Sequence, residues 1–226
     1  MKLALLSDGT SNASQQAIAA IVTSLSIAQQ QAGVVYIASE PDAQREYFKP
    51  VATMFNSLGI ESVTYIDLEA DYDPASIDML RSAGVIYLSG GDTYRFLYWL
   101  KQRGIDKLLY QLLTADCNRP AIIGVSAGAM IMTPSIDSAP LCGDSNNVQL
   151  DDTDGIGLIS FHYVPHFEPH FEPHLVTDVE QPSALLPFNQ YQQLKQQSLC
   201  MCSDNDAVVV INNQLIEFGS PTWIFG

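Results

Sequence analysis

Over the first 130 residues, short apolar runs alternate with stretches in which apolar side chains recur at helical spacing. Leu3 to Ser7 is the first such run and reads as a strand, followed by a turn rich in Ser, Gly and Asn. Ile18, Ile21, Val22 and Leu25 then repeat every three or four positions, which predicts a helix closed by Gly33. Val34 to Ala38 is the second strand. Tyr47, Val51, Met54 and Leu58 mark the next helix, ended by Gly59, with Pro50 either kinking it or lying in its first turn. Ser62 to Ile66 is a third strand. Val85 to Leu88 is a fourth, and its continuous apolar character places it centrally. A helix through Leu97 and Leu100 to Gly104, another over Leu108 to Leu113, and the strand Ala121 to Val125 complete the pattern. Strands and helices in strict alternation predict an α/β fold, with a mostly parallel central sheet and helices on both faces.

After Met132 the texture changes. Residues 133–155 are polar and rich in turn formers, with Asp137, Asp144, Asp151, Asp152 and Asp154 among them. Ile159 to Val164 reads as a strand, and Tyr191 and Leu194 mark a polar helix. The apolar runs Leu199 to Cys202, Ala207 to Ile211 and Leu215 to Phe218 follow, with Asn212-Asn213 as a hairpin turn between the last two. The C-terminal half therefore adds antiparallel strands. At 226 residues, and with no massed Gly/Pro linker, residues 1–226 are expected to form one domain.

Charge and cysteines narrow the function classes. The formal net charge is −15, which repels phosphate backbones and anionic lipid, so neither nucleic acid nor a membrane surface is an expected partner. No segment approaches the roughly 20 apolar residues of a membrane span. The N-terminal apolar run is too short for a secretory signal, so a cytoplasmic protein is expected. Cys117, Cys142, Cys200 and Cys202 lack zinc-site spacing and read as reduced thiols, with Cys200 and Cys202 assigned to opposite faces of a strand.

Two glycine-bearing turns end central strands. In Gly124-Val125-Ser126-Ala127-Gly128, an apolar strand runs directly into a helix, a spacing that can force the serine into strained backbone angles and project its hydroxyl from the sheet. The Ala127 N–H is then placed to donate to an oxyanion. The bland alternative is a tight strand–helix crossing. Gly90-Gly91-Asp92-Thr93 follows the fourth strand; Gly91 could supply a second oxyanion N–H, and Asp92 or Thr93 could cap the next helix. Both turns leave the carboxyl ends of parallel strands, where such sheets bind ligands. A nucleophilic serine needs a base. The histidines, His162, His166, His170 and His174, fall every fourth residue, the last three within the tandem His-Phe-Glu-Pro repeat of residues 166–174. Pro165, Pro169 and Pro173 exclude the regular helix that would give them a common metal-binding face, so no metal is expected there.

These residues resemble the peptidase E (alpha-aspartyl dipeptidase) family of serine peptidases, which includes cyanophycinases. Four elements match in order: Gly90-Gly91-Asp92-Thr93, Gly-Val-Ser126-Ala-Gly-Ala, Gly157-Leu158-Ile159-Ser160-Phe161 leading to Pro165-His166-Phe167, and Thr222-Trp223-Ile224-Phe225. The resemblance implies a flavodoxin-like fold of the class I glutamine amidotransferase type. It implies Ser126 as nucleophile, His166 as base with His170 as competitor, and Gly91 and Ala127 as oxyanion donors, with Gly90 and Asp92 lining the same turn. The third member is implied at Asp204 or at Asp137. The implied substrate is a short peptide and no cofactor is needed; a homodimer stays open. One departure counts against aspartyl specificity: no arginine follows Arg119, where aspartyl-specific relatives carry one beyond the Pro-His-Phe element. The rival reading is a catalytically silent amidotransferase-like protein that binds an amino-acid ligand or a protein partner.

Overall fold

Alternation along the strands decides which side chains face which layer. The computed structural model describes residues 1–115, 119–167 and 197–225. Strands β1 (Lys2–Leu6), β2 (Val34–Ile37), β3 (Val63–Ile66), β4 (Val85–Leu88) and β5 (Ala121–Val125) pair in parallel in the order β3-β2-β4-β5-β1. Leu3, Leu5, Ile86, Leu88 and Ile122 project to one face, where they meet helices α4 (Ser76–Ser82), α5 (Thr93–Gln102), α6 (Ile105–Thr114) and α7 (Ala127–Ile131). Ala4, Leu6, Val85, Tyr87 and Ile123 project to the other, against α1 (Asn12–Ser24) and α3 (Phe48–Ser57). Both faces are dry, which is why β4 carries no polar alternation.

Beyond β1 the sheet turns antiparallel through β8 (Ala207–Ile211) and β9 (Gln214–Phe218). Asn212 and Asn213, at φ 52° and 63°, form the tight turn between them, with both central residues left-handed. A separate three-stranded sheet has the order β10 (Thr222–Ile224), β7 (Leu199–Met201), β6 (His162–Val164). Its β6 and β7 run parallel with Val164 opposite Met201, so the chain leaves both strands at the same end. That register brings the segments after Val164 and after Met201 side by side: the Phe167 N–H donates to the Cys202 carbonyl, and the Cys202 N–H to that of Val164, both at 2.9 Å.

Several local expectations are refined. The helix expected to run to Gly33 is two, because Ser26 and Gln29 form a reciprocal capping box that starts α2 (Ile27–Ala32). Pro50 sits in the first turn of α3, where its missing N–H removes no intrahelical bond. Strand β6 is shorter than Ile159 to Val164, and α4 and β10 were not expected as elements. Cys200 and Cys202 face the same way, their sulfurs 3.8 Å apart, because residues two apart on extended chain share a face. Their mutual hydrogen bond and burial push the Cys200 thiol up, and burial raises that of Cys142 to about 12, so both stay protonated. Among the described residues no helix is long and apolar enough to cross a membrane. The helix expected around Tyr191 and Leu194 lies outside the described residues, as do His170, His174 and Cys117.

Candidate active site

The turn between β5 and α7 concentrates its strain on one residue. Ser126 has φ 48° and ψ −110°, a conformation that costs a non-glycine residue roughly 1–3 kcal/mol. Hydrogen bonds hold it there: its N–H donates to the Leu6 carbonyl (2.8 Å), and its carbonyl accepts from Ala129 (2.9 Å) and Met130 (3.0 Å). The flanking glycines serve a different purpose, because neither has a positive φ. A Cβ on Gly124 would lie 2.5 Å from the Gly128 carbonyl oxygen, and one on Gly128 would run into that of Leu88. The glycines allow close approach of strand and helix.

His166 follows β6 and Asp204 follows β7. The His166 Nε2 lies 2.9 Å from Ser126 Oγ, and Nδ1 lies 2.6 Å from Asp204 Oδ1. A carboxylate can only accept at neutral pH, so Nδ1 carries the proton in the neutral ring and Nε2 presents its lone pair to the serine O–H. Imidazole and carboxylate are 46% and 60% exposed, which leaves room for a reacting group among the described residues. The other expected acid, Asp137, is not brought to the histidine. It accepts a hydrogen bond from Thr153 Oγ1 at 3.2 Å instead. The turn that carries Asp204 is fixed by a buried neighbour: Asp206 accepts from the Ser203 N–H (2.8 Å), the Ser203 hydroxyl (2.7 Å) and the Ser220 N–H (2.6 Å).

Gly90 lies beside the serine, since a Cβ built on it would be 3.5 Å from Ser126 Cβ. Gly91 has φ 144°, and a side chain there would collide with Ser39. The Ser39 hydroxyl donates to the Gly90 carbonyl at 2.6 Å. The C=O and N–H of a trans peptide point in opposite directions, so this bond turns the Gly91 N–H away from Ser39. Ala127 opens α7, and its N–H has no acceptor within the helix. Asp92 is committed to capping α5, accepting from the Arg95 N–H at 2.9 Å, while Thr93 bonds the Asp144 carboxylate.

Three polar residues here were not singled out from the sequence: Ser7, Asp8 and Ser39. Ser7 and Asp8 immediately follow β1 and Ser39 lies just past β2, so the rule that ligands gather at the carboxyl ends of parallel strands could have found them. Burial favours the neutral form of Asp8. Hydrogen bonds from the Thr10 hydroxyl and the Thr10 and Ser11 N–H groups, with charge on His166, outweigh it and hold the carboxyl below its usual range. Among the described residues no three His, Cys, Asp or Glu side chains are grouped to hold a metal.

A strained serine between a central parallel strand and a helix is the geometry of α/β proteins built around a nucleophile elbow. The chain belongs to peptidase family S51, which it matches over residues 3–218. It is 29% identical over 120 residues to an uncharacterized peptidase of Listeria monocytogenes, covering 51% of this chain and 57% of that protein. It is 34% identical over 112 residues to an uncharacterized peptidase of Pasteurella multocida, covering 47% and 52%. The chain thus spans about half the length of the curated relatives it matches. A crystal structure from Listeria monocytogenes, provisionally described as a peptidase E protein, superposes with a TM-score of 0.68 at 23% identity over 96% of each chain. That likeness carries the fold.

Proposed function

We propose that the protein is a serine exopeptidase that hydrolyses short peptides through Ser126, His166 and Asp204. The observation that carries this reading is the unbroken hydrogen-bonded series from Ser126 Oγ through the imidazole to Asp204, ending on a serine held in strained geometry. Ser126 Oγ attacks the peptide carbonyl carbon as His166 Nε2 takes its proton. The N–H groups of Gly91 and Ala127 receive the oxyanion. His166 then gives the proton to the departing amine nitrogen, leaving an ester on Ser126. Water attacks the ester, its proton passes to His166, and the carboxylic acid leaves as the serine hydroxyl is restored. No step calls for a metal or cofactor.

The substrate reading is a peptide without an acidic N-terminal side chain. Arg95 is held between Glu40 (3.1 Å) and Glu69 (2.7 Å), Arg45 lies over the Tyr65 ring, and Arg103 lies over Tyr72 and Trp99. Among the described residues these arginines are already engaged, and the ionised Asp8 lies within electrostatic reach of His166. An aspartyl side chain would meet like charge and, among the described residues, gain no free cationic partner.

A dipeptide library and fluorophosphonate labelling test both points together. Wild type is expected to cleave neutral and basic N-terminal dipeptides faster than aspartyl ones and to be labelled. Ser126→Ala should lose labelling and turnover, and Asp204→Asn should lower kcat/KM by about 10⁴-fold. Asp137→Asn should behave as wild type. An Asp137→Asn loss with an active Asp204→Asn would transfer the acid's role. A wild type that neither labels nor cleaves, but is stabilised by an amino acid in a thermal-shift assay, would favour the silent ligand-binding reading.

A further inference from the structure

The base, the acid and the nucleophile of the proposed site reach it on three separate segments, and a fourth joins two of them. Ser7, at the end of β1, is fully buried, yet its hydroxyl contacts both partners behind the nucleophile. Its oxygen accepts the His166 main-chain N–H at 2.6 Å. It also lies 3.2 Å from Asp204 Oδ1 and 3.3 Å from the Cys202 carbonyl oxygen, the two acceptors open to its single proton. Both belong to the chain that leaves β7 and bears Asp204.

His166 needs such an anchor. Strand β6 ends at Val164, so no ladder partner awaits the His166 N–H, and the residue is held at φ 57°, in the left-handed region that non-glycine residues avoid. Its imidazole must still meet Ser126 on one side and Asp204 on the other. The next residue, Phe167, is already tied to Cys202 by its N–H, so the Ser7 bond fixes the remaining end of the His166 main chain. The β1 that leads into Ser7 also holds the nucleophile, because the Leu6 carbonyl accepts the Ser126 N–H.

Resting on the serine-peptidase reading, we infer that Ser7 is a positioning residue of this site. Its hydroxyl links the main chain of the base to the turn of the acid and sets the imidazole's angle toward Ser126. It touches none of the reacting atoms. Misplacing a catalytic group by about an ångström can cost on the order of 10²-fold in rate.

The test compares Ser7→Ala and Ser7→Cys with wild type, Ser126→Ala and Asp204→Asn. Cysteine keeps the buried volume but hydrogen-bonds weakly, so it guards against a folding defect from a cavity. Each variant is first checked for a cooperative urea transition. On the best dipeptide, both Ser7 variants should lower kcat by about 10–10²-fold with KM little changed. Long-range ¹⁵N–¹H correlations of the His166 ring, assigned by their change in Asp204→Asn, read the tautomer without any substrate. They should show the Nδ1-protonated form in wild type and a mixed or shifted form in the Ser7 variants. Folded Ser7 variants with wild-type kcat and an unchanged ring signature would overturn the proposal. If wild type cleaves nothing, the peptidase reading fails, while the ring signature still decides whether Ser7 positions His166.

Discussion

At Ser126 the main chain is held where only neighbouring hydrogen bonds can keep it, while Gly124 and Gly128 supply the space that strand and helix need. The sequence motif announces both functions at once and does not separate them. Asp8 illustrates the opposite case, a residue with no motif whose surroundings give it a property. Its folded-state pKa is lowered, so the stability it contributes is complete above the unfolded value of about 3.9 and is lost as pH falls through the lower folded value. Asp8→Asn should therefore unfold at lower urea than wild type near neutrality, with the difference shrinking below about pH 4. The side chain is half-buried and reached by solvent, so screening keeps the effect small. A difference that persists unchanged at acid pH would contradict it, and urea midpoints at the two pH values measure it.

Among elements, α5 shows how a residue of a candidate site can be occupied by structure. Asp92 sits in the turn beside Gly91, yet its carboxylate accepts the Arg95 N–H and caps α5. Asp92→Ala should lower unfolding free energy by about 1 kcal/mol, the usual cost of losing a side-chain cap. A urea titration showing no loss would return Asp92 to the substrate's side of the turn. The element pattern was largely legible, because the five parallel strands and most of the helices between them follow from apolar runs and helical spacing. The misses have local causes. Helix α4 is about two turns long with few apolar positions, too little for periodicity, and the break at Ser26 rests on a side-chain cap in the middle of an otherwise continuous pattern.

On the scale of the whole molecule, charge is the dominant long-range property. With a formal net charge of −15, self-repulsion opposes the compact state, and added salt screens it. The melting temperature should rise as sodium chloride is added; a flat or falling trend would mean that ion pairs such as Lys101–Asp152 outweigh the repulsion.

The strand order of the C-terminal half, and with it the site, is a tertiary result. The sequence by itself determined the α/β class, the strand-to-helix turn at Ser126 and the glycine turn at Gly90 and Gly91, because each depends on neighbours along the chain. It also confined the candidate base to the histidine cluster. It favoured Asp204 over Asp137 only narrowly, because Asp204 follows an apolar run, and nothing local to either aspartate records which one reaches the histidine. Only the parallel pairing of β6 with β7 brings Asp204 to His166, and only the approach of the buried Ser7, just past β1, to the segments after those strands places its hydroxyl between them. Such contacts join residues 38 to 197 positions apart, and no local pattern records which of the available side chains will meet.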